Sequence, residues 1–126
     1  MTDLTFDQLA TLLDSVFAPK HPERWLTILV DLPDPRVPDT EAWADRRRLA
    51  GEWFELLQAN LARLPFSAVA YCVYPNVGSN NADLPAEAIV ATNLEEYRRL
   101  PEGRALPFSA ILASSSVVLA PTQLSA

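Results

Sequence analysis

The sequence predicts a three-layer α/β domain with a mainly parallel sheet of about three to four strands flanked by helices. Helical and extended patterns alternate along the chain, which is typical of layered α/β folds. The extended segments are almost continuously apolar, as strands covered on both faces are. The chain has 126 residues, of which 49% are hydrophobic, so it suits one domain over residues 1–126 with a buried core.

The first two elements are a helix and a strand. Thr5 and Gln8 form a capping-box pattern, and apolar residues then recur at helical spacing as far as Pro19. Residues 25–30 are continuously apolar and predict a strand. This strand should stop in the proline-rich loop that follows Asp31, because proline cannot donate to a strand ladder.

A long helix and a second strand come next. Asp39 or Thr40 is expected to cap a helix that runs to about Arg63. Gly51 inside this helix is unfavourable by about 1 kcal/mol relative to alanine, which suggests close contact with a neighbouring element. Residues 68–74 predict the second strand.

The last third of the chain is less regular. Residues 88–91 fit either a short strand or the start of a helix, and Asn93 is expected to cap a helix that reaches residue 100. A short helix over 106–113 and a third strand over 117–120 complete the pattern. Because no helix pattern follows this strand, we expect the chain to be the amino-terminal part of a longer protein.

The composition excludes several kinds of site. One histidine, one cysteine and three separated glycines cannot form a Cys/His zinc site, a phosphate-binding P-loop or a GxGxxG turn. The lone cysteine, Cys72, falls within a predicted strand and is expected to be a buried, inert thiol, and His21 is expected to be an exposed turn residue. No residue of the chain is assigned a catalytic or metal-binding role.

The net charge and the lack of targeting signals indicate which partners and which cellular compartment to expect. The net charge of −6 argues against nucleic acid as a partner, because phosphate binding requires a basic surface. The start of the chain lacks the features of a signal peptide, and no apolar run is long enough to span a membrane. A single cysteine fits a reducing compartment. We therefore expect a soluble cytoplasmic protein without a membrane partner.

Polar residues follow each of the three predicted strands. In open α/β sheets, ligands bind outside the carboxyl ends of the strands, so these residues are ligand-binding candidates. They are Asp31, Asn76, Ser79, Asn80, Asn81, Asp83, Thr122 and Gln123. The alternative is purely structural, because Asn, Asp, Ser and Gly are also common turn formers, and this alternative is favoured for Asp31 and for the 75–85 loop.

Three aspartates near the end of the first strand suggest a further hypothesis. Asp31, Asp34 and Asp39 supply the carboxylate ligands that a magnesium ion prefers. Their spacing matches no dedicated cation-binding loop, so the sequence favours turn and capping roles for them.

Four segments together resemble a known family. They are Val30-Asp31-Leu32-Pro33, Trp43-Ala44-Asp45-Arg46-Arg47-Arg48-Leu49-Ala50, Asn80-Asn81-Ala82-Asp83-Leu84-Pro85 and the tail from Leu119 to Ala126. The chain resembles the N-terminal domain of bacterial proteins related to the aminopeptidase T-like, thermophilic-type metallo-aminopeptidases. The resemblance implies a two-domain, cytoplasmic and typically dimeric hydrolase. Its Glu, His, Tyr and Asp ligands to a dinuclear metal centre would lie in a C-terminal domain, so none is carried over to this chain.

Three functions follow from the residues and the resemblance. The first is a scaffold domain of an aminopeptidase-like metalloenzyme, inactive alone, with the C-terminal domain and a second copy as partners. It would hold no cofactor itself, the divalent metal belonging to the parent protein. The second is a metal-free α/β module that binds a small ligand at the strand ends. The third is a protein-interaction domain.

Overall fold

The computed structural model describes residues 5–17, 23–79 and 82–124. Four helices and five strands lie within these ranges. In chain order they are α1 (Phe6–Phe17), β1 (Glu23–Leu32), α2 (Glu41–Ala59), β2 (Phe66–Pro75), β3 (Glu87–Ala91), α3 (Leu94–Arg98), β4 (Arg104–Pro107), α4 (Phe108–Ser114) and β5 (Ser115–Leu119). A 3-10 turn over Leu61–Arg63 connects α2 to β2, so the predicted α2 is too long at its carboxyl end.

The five strands form one mixed sheet in the order β4-β3-β2-β1-β5. β1 runs parallel to both β2 and β5, whereas β3 runs antiparallel to both β2 and β4. The α/β class is therefore confirmed, but the expectation of a mainly parallel sheet with three to four strands is wrong. The three predicted strands are its parallel part.

The antiparallel part arises from the connection that follows β2. Parallel neighbours need a crossover of a dozen or more residues, usually with a helix. The described residues between β2 and β3, 76–79 and 82–86, contain no helix, and β3 pairs antiparallel with β2, with Val73 opposite Ile89. β4 was missed because Pro107 looks like a helix start; it is tolerated in β4 because β4 is an edge strand.

The two faces of the sheet are covered unequally. One face packs against α1, α2 and α3, with Leu9, Phe54 and Tyr97 among the contacting residues. Among the described residues, the short helix α4 is the one helix on the opposite face, and its Phe108 and Ile111 pack in the second core cluster. The expected three-layer arrangement is therefore wrong, because one of its outer layers is reduced to two turns of helix.

Helix-start signals were read correctly from the sequence. The Gln8 main-chain amide donates to Thr5 Oγ1 at 3.2 Å, and the Thr5 amide donates to Gln8 Oε1 at 2.9 Å, which completes the capping box. Thr40 caps α2 by accepting from the Trp43 amide at 3.1 Å. Asn93 caps α3 in the same way, with its Oδ1 2.8 Å from the Glu96 amide nitrogen.

Gly51 makes the close contact that its position in the helix suggested. A β-carbon added at Gly51 would overlap the hydroxyl oxygen of Tyr97, so no other side chain fits there unless Tyr97 moves. The missing side chain lets Tyr97 of α3 approach α2. The centroid of the Tyr97 ring lies 4.9 Å from that of Phe54 and 5.0 Å from that of Tyr71. The glycine therefore fits α3 against α2 on this face of the sheet.

Candidate functional site

Asp31 is fully buried at the carboxyl end of β1 and is held by three donors. The indole Nε1 of Trp43 lies 3.1 Å from Asp31 Oδ1 and 3.2 Å from the Asp31 main-chain oxygen. The main-chain amides of Gln123 and Leu124 donate to the two carboxylate oxygens at 2.9 and 3.0 Å. Burying a carboxylate is tolerated only when donors of this kind replace water. Asp31 therefore fastens the segment after β5 to the end of β1.

This contact lies where an α/β sheet ordinarily binds a ligand. Ligand crevices form at the carboxyl edge of a sheet, where the connections from neighbouring strands depart to opposite faces. The chain leaves β1 through α2 on one face, and it reaches β5 through α4 on the other face. The gap between the ends of β1 and β5 is such a point, and the main chain of Gln123 and Leu124 lies in it.

Asn76, at the end of β2, is also used internally. The residue is buried, and its Nδ2 donates to the Leu32 oxygen at 2.9 Å and to Asp34 Oδ2 at 3.2 Å. Its Oδ1 accepts from the Gly78 amide at 3.0 Å, and Gly78 has a φ of 84°, a conformation that favours glycine. Asn76 therefore shapes the turn after β2 and connects it to the loop after β1.

Asp34 organises its own turn. Its Oδ1 accepts from the main-chain amides of Arg36 and Val37, both at 2.9 Å. The hydrogen bond from Val37 holds the pKa of the Asp34 carboxyl below its usual value, although desolvation opposes this effect. The structural alternative therefore accounts for both Asp34 and Asn76.

The remaining candidates differ in how they are placed. Ser79 and Asp83 are exposed, and Asn80 and Asn81 lie outside the described residues. Thr122 is half-buried, with its amide donating to the Ala120 oxygen at 2.8 Å. Among the described candidates, Asp31 and Gln123 come from different strand ends and are in direct contact.

Gln123 has a second contact through its side chain. Its Oε1 accepts a hydrogen bond from Arg46 Nη2 of α2. The segment after β5 is thus held by hydrogen bonds from two elements, to Asp31 of β1 and from Arg46 of α2. The Nε atom of Arg46 is buried and has no hydrogen-bond partner in the part of the chain that the structure describes.

The three aspartates of the magnesium hypothesis are used separately. Asp39 forms a two-point ion pair with Arg47, with nitrogen–oxygen distances of 3.0 and 2.6 Å. The hydrogen bond with Arg47 lowers the pKa of Asp39. Within residues 5–17, 23–79 and 82–124, no three His, Cys, Asp or Glu side chains are grouped so that they could hold a metal ion.

An apolar groove lies where β2 and β3 separate. Its volume is about 370 Å³, and Glu87 is the one charged residue in its lining. The lining consists of Val73, Pro75, Pro85, Ala86, Glu87, Ala88 and Ile89. Sequence reasoning missed this groove because it did not establish that residues 87–91 pair with β2.

Cys72 is buried in the middle of β2, and burial raises its pKa to about 12. The expected burial of Cys72 is therefore confirmed, and a thiol that stays protonated is a poor nucleophile. His21, the other member of any Cys–His pair, lies outside the described residues.

Compared with known proteins, the chain matches no family model, and no curated protein or solved structure is significantly similar to it. Among the described residues, no helix is long and apolar enough to cross a membrane.

Proposed function

We propose that this chain is the N-terminal scaffold domain of an aminopeptidase-like metalloenzyme and has no catalytic activity alone. The observation that carries the proposal is the engagement of the Asp31 carboxylate by Trp43, Gln123 and Leu124. Asp31 lies at the edge of the sheet where a ligand would bind, but its carboxylate accepts hydrogen bonds from the chain itself. The carboxylate oxygens of Asp31 therefore stabilise the fold and are not available to bind a substrate.

The fixed segment after β5 suits such a role. Asp31 binds its main chain at two consecutive amides, and Arg46 binds the Gln123 side chain. A segment held at several points leaves the sheet in a defined direction. A domain attached to that segment would therefore be held in a defined orientation to this one.

The metal of the parent enzyme is not assigned to these residues. The resemblance implies a dinuclear centre of Glu, His, Tyr and Asp ligands, and the described part of the chain groups no three His, Cys, Asp or Glu side chains for such a centre. The metal and the chemistry it supplies would belong to the other domain. This domain would support that site from outside.

The genomic reading frame beyond the codon of Ala126 provides the first test. We expect it to continue into a domain rich in His and Glu, and an immediate stop codon would contradict the proposal. In the continued protein, we expect Asp31→Asn to lower peptidase activity without reducing the metal content. Asp83→Asn, a change at an exposed acid, is the matched control and should leave both unchanged.

The apolar groove favours a second candidate function, the binding of a small ligand. Its volume of about 370 Å³ lies within the range of roughly 300–1,000 Å³ that is usual for ligand sites. Apolar walls beside the exposed Glu87 fit a small apolar molecule with a positive charge. Leucinamide, which is positively charged, should then raise the melting temperature of the wild type but not that of Glu87→Gln. N-acetylleucine, which lacks the positive charge, should not raise the melting temperature of the wild type. No shift with leucinamide would exclude this function.

A further inference from the structure

Two facing side chains form the floor of the apolar groove. Val73 of β2 is paired with Ile89 of β3, and both side chains lie on the face of the sheet that α2 and α3 cover. The other apolar residues of the lining are prolines and alanines, so Ile89 has the longest apolar side chain in the groove. The position of Ile89 therefore determines how large an apolar group the floor can hold.

Ile89 contacts Gly103, which directly precedes β4. Ile89 is paired with Ala105 of β4, and Gly103 stands two residues before Ala105, where the side chains of an extended segment return to the same face. A β-carbon added at Gly103 would lie 3.1 Å from Cγ2 of Ile89, which is closer than ordinary van der Waals contact. Ile89 Cγ2 therefore occupies space that a side chain at position 103 would need.

This contact is the reason we give for a glycine at position 103. Gly103 is exposed, and Gly78 is the glycine with a positive φ, so neither burial nor backbone conformation requires a glycine at 103. Because β3 lies between β4 and β2, a larger residue at 103 would push Ile89 away from β4 and toward Val73. With glycine there, Ile89 stays close to β4 and the floor of the groove stays open.

Glu87 supplies a negative charge at one end of the groove. Its carboxylate is exposed and forms no ion pair or hydrogen bond with the residues that the structure describes. Glu87 and Ile89 are two residues apart on β3, so their side chains share a face and lie about 7 Å apart along the strand. A ligand that fits both residues carries a positive charge about 7 Å from its apolar end.

We propose that the groove binds primary alkylammonium ions and selects them by the length of the alkyl group, which Gly103 limits through the position of Ile89. The ammonium group would bind Glu87, and the alkyl group would lie on Val73 and Ile89. With carbon–carbon bonds of about 1.5 Å, an extended n-pentylammonium ion spans about this distance. This inference rests on the small-ligand function proposed for the groove and adds the class of ligand and the positioning residue that limits its size.

NMR titrations of the 126-residue chain at neutral pH test the length preference. The probes are n-propylamine, n-butylamine, n-pentylamine and n-hexylamine, which are all ammonium ions at this pH. In the wild type we expect the affinity to rise from propylamine to pentylamine and to rise no further with hexylamine, whose end would meet Ile89. Glu87→Gln should weaken all four by a similar factor, because it removes the charge that they share.

Gly103→Ala should change the preference without changing the charge. The added methyl group moves Ile89 over the floor, so the affinity for n-pentylamine should fall by about fourfold, the contribution of one buried methylene group, while that for n-propylamine stays unchanged. Ile89→Leu is the matched background, because leucine conserves the volume but has no methyl group on its β-carbon. In that background, Gly103→Ala should leave the affinity for n-pentylamine unchanged.

The results distinguish a failure of this inference from a failure of the small-ligand function. If the wild type binds none of the four amines, both are overturned. If it binds them with an affinity that still rises by the same factor from pentylamine to hexylamine, the length limit alone is overturned, and this measurement requires no variant to fold. A Gly103→Ala variant with the wild-type length preference would overturn the role of Gly103 in the same way.

Discussion

The Asp31 carboxylate accepts a hydrogen bond from the main-chain amide of Gln123 at 2.9 Å, across 92 positions of sequence. This bond joins the end of the central strand β1 to the segment that follows the edge strand β5. It places a buried charge at the carboxyl edge of the sheet and gives that charge a structural role.

Asp31→Asn should destabilise the fold by about 2–4 kcal/mol. An asparagine amide group presents N–H donors toward one of the main-chain amides that Asp31 now accepts, so a buried donor is left unpaired. Urea unfolding measures the change, and faster hydrogen exchange at Gln123 and Leu124 would locate it. Asp83→Asn is the control and should change the free energy of unfolding by less than about 0.5 kcal/mol. Equal stability of the two variants would contradict the role given to Asp31.

Trp43→Phe should cost more stability than Trp53→Phe. Trp43 is fully buried and its Nε1 donates to Asp31, whereas Trp53 Nε1 has no hydrogen-bond partner among the described residues. Losing the Trp43 bond weakens the solvation of a buried carboxylate, and we expect the two variants to differ by about 1–2 kcal/mol. Denaturant unfolding under identical conditions measures this difference, and a larger loss for Trp53→Phe would disprove the interpretation.

Gly51→Ala should destabilise the protein by about 1–3 kcal/mol, because the new methyl group would overlap the Tyr97 hydroxyl. In a Tyr97→Phe background the overlap disappears, since the next ring atom lies 3.4 Å from the added β-carbon. There the same change should stabilise by up to about 1 kcal/mol, because alanine is the better helix former. A double-mutant cycle measures this reversal of sign, and purely additive effects would rule out the contact.

Stability should fall as the pH rises above about 8.5. Burial raises the pKa of Cys72 to about 12 and that of Tyr74 to about 12, so the folded state keeps protons that the unfolded state releases near pH 8.5 and 10. The stabilisation is complete below the unfolded pKa and is lost as the pH rises toward the folded one, at up to about 1.4 kcal/mol per pH unit for each group. Denaturant midpoints at successive pH values measure the slope.

Cys72→Ala is the matched variant for this pH dependence. It removes the group with the lowest unfolded pKa, so its unfolding free energy should stay level from about pH 8.5 to about 9.5, where that of the wild type declines. A wild-type profile that is flat over the same interval would show that the thiol does not stay protonated in the folded state.

Local signals in the sequence predicted local structure well. The capping residues Thr5, Thr40 and Asn93 act where the pattern placed them, because a helix start depends on groups only three residues apart. Gly51 also indicated its close contact, since a glycine inside a helix needs a compensating reason. The capping contacts join residues close in sequence, and the low helix propensity of Gly51 is visible in the sequence itself.

Long-range features were harder to predict. The direction of β3 depends on how residues 76–86 turn, and the apolar pattern of a strand is the same in either direction. The use of Asp31 depends on a donor 92 positions away, and nothing in the local sequence specifies that Gln123 will supply it. The sequence identified polar residues at strand ends correctly, but it could not distinguish a ligand contact from a contact within the chain.

A peptidase assay of the 126-residue chain tests the central claim most directly. The purified chain would be incubated with leucine p-nitroanilide and with zinc, cobalt or manganese, and p-nitroaniline release and bound metal would be measured. We expect no release of p-nitroaniline above the buffer control and no stoichiometric metal. Release that a chelator abolishes would contradict it.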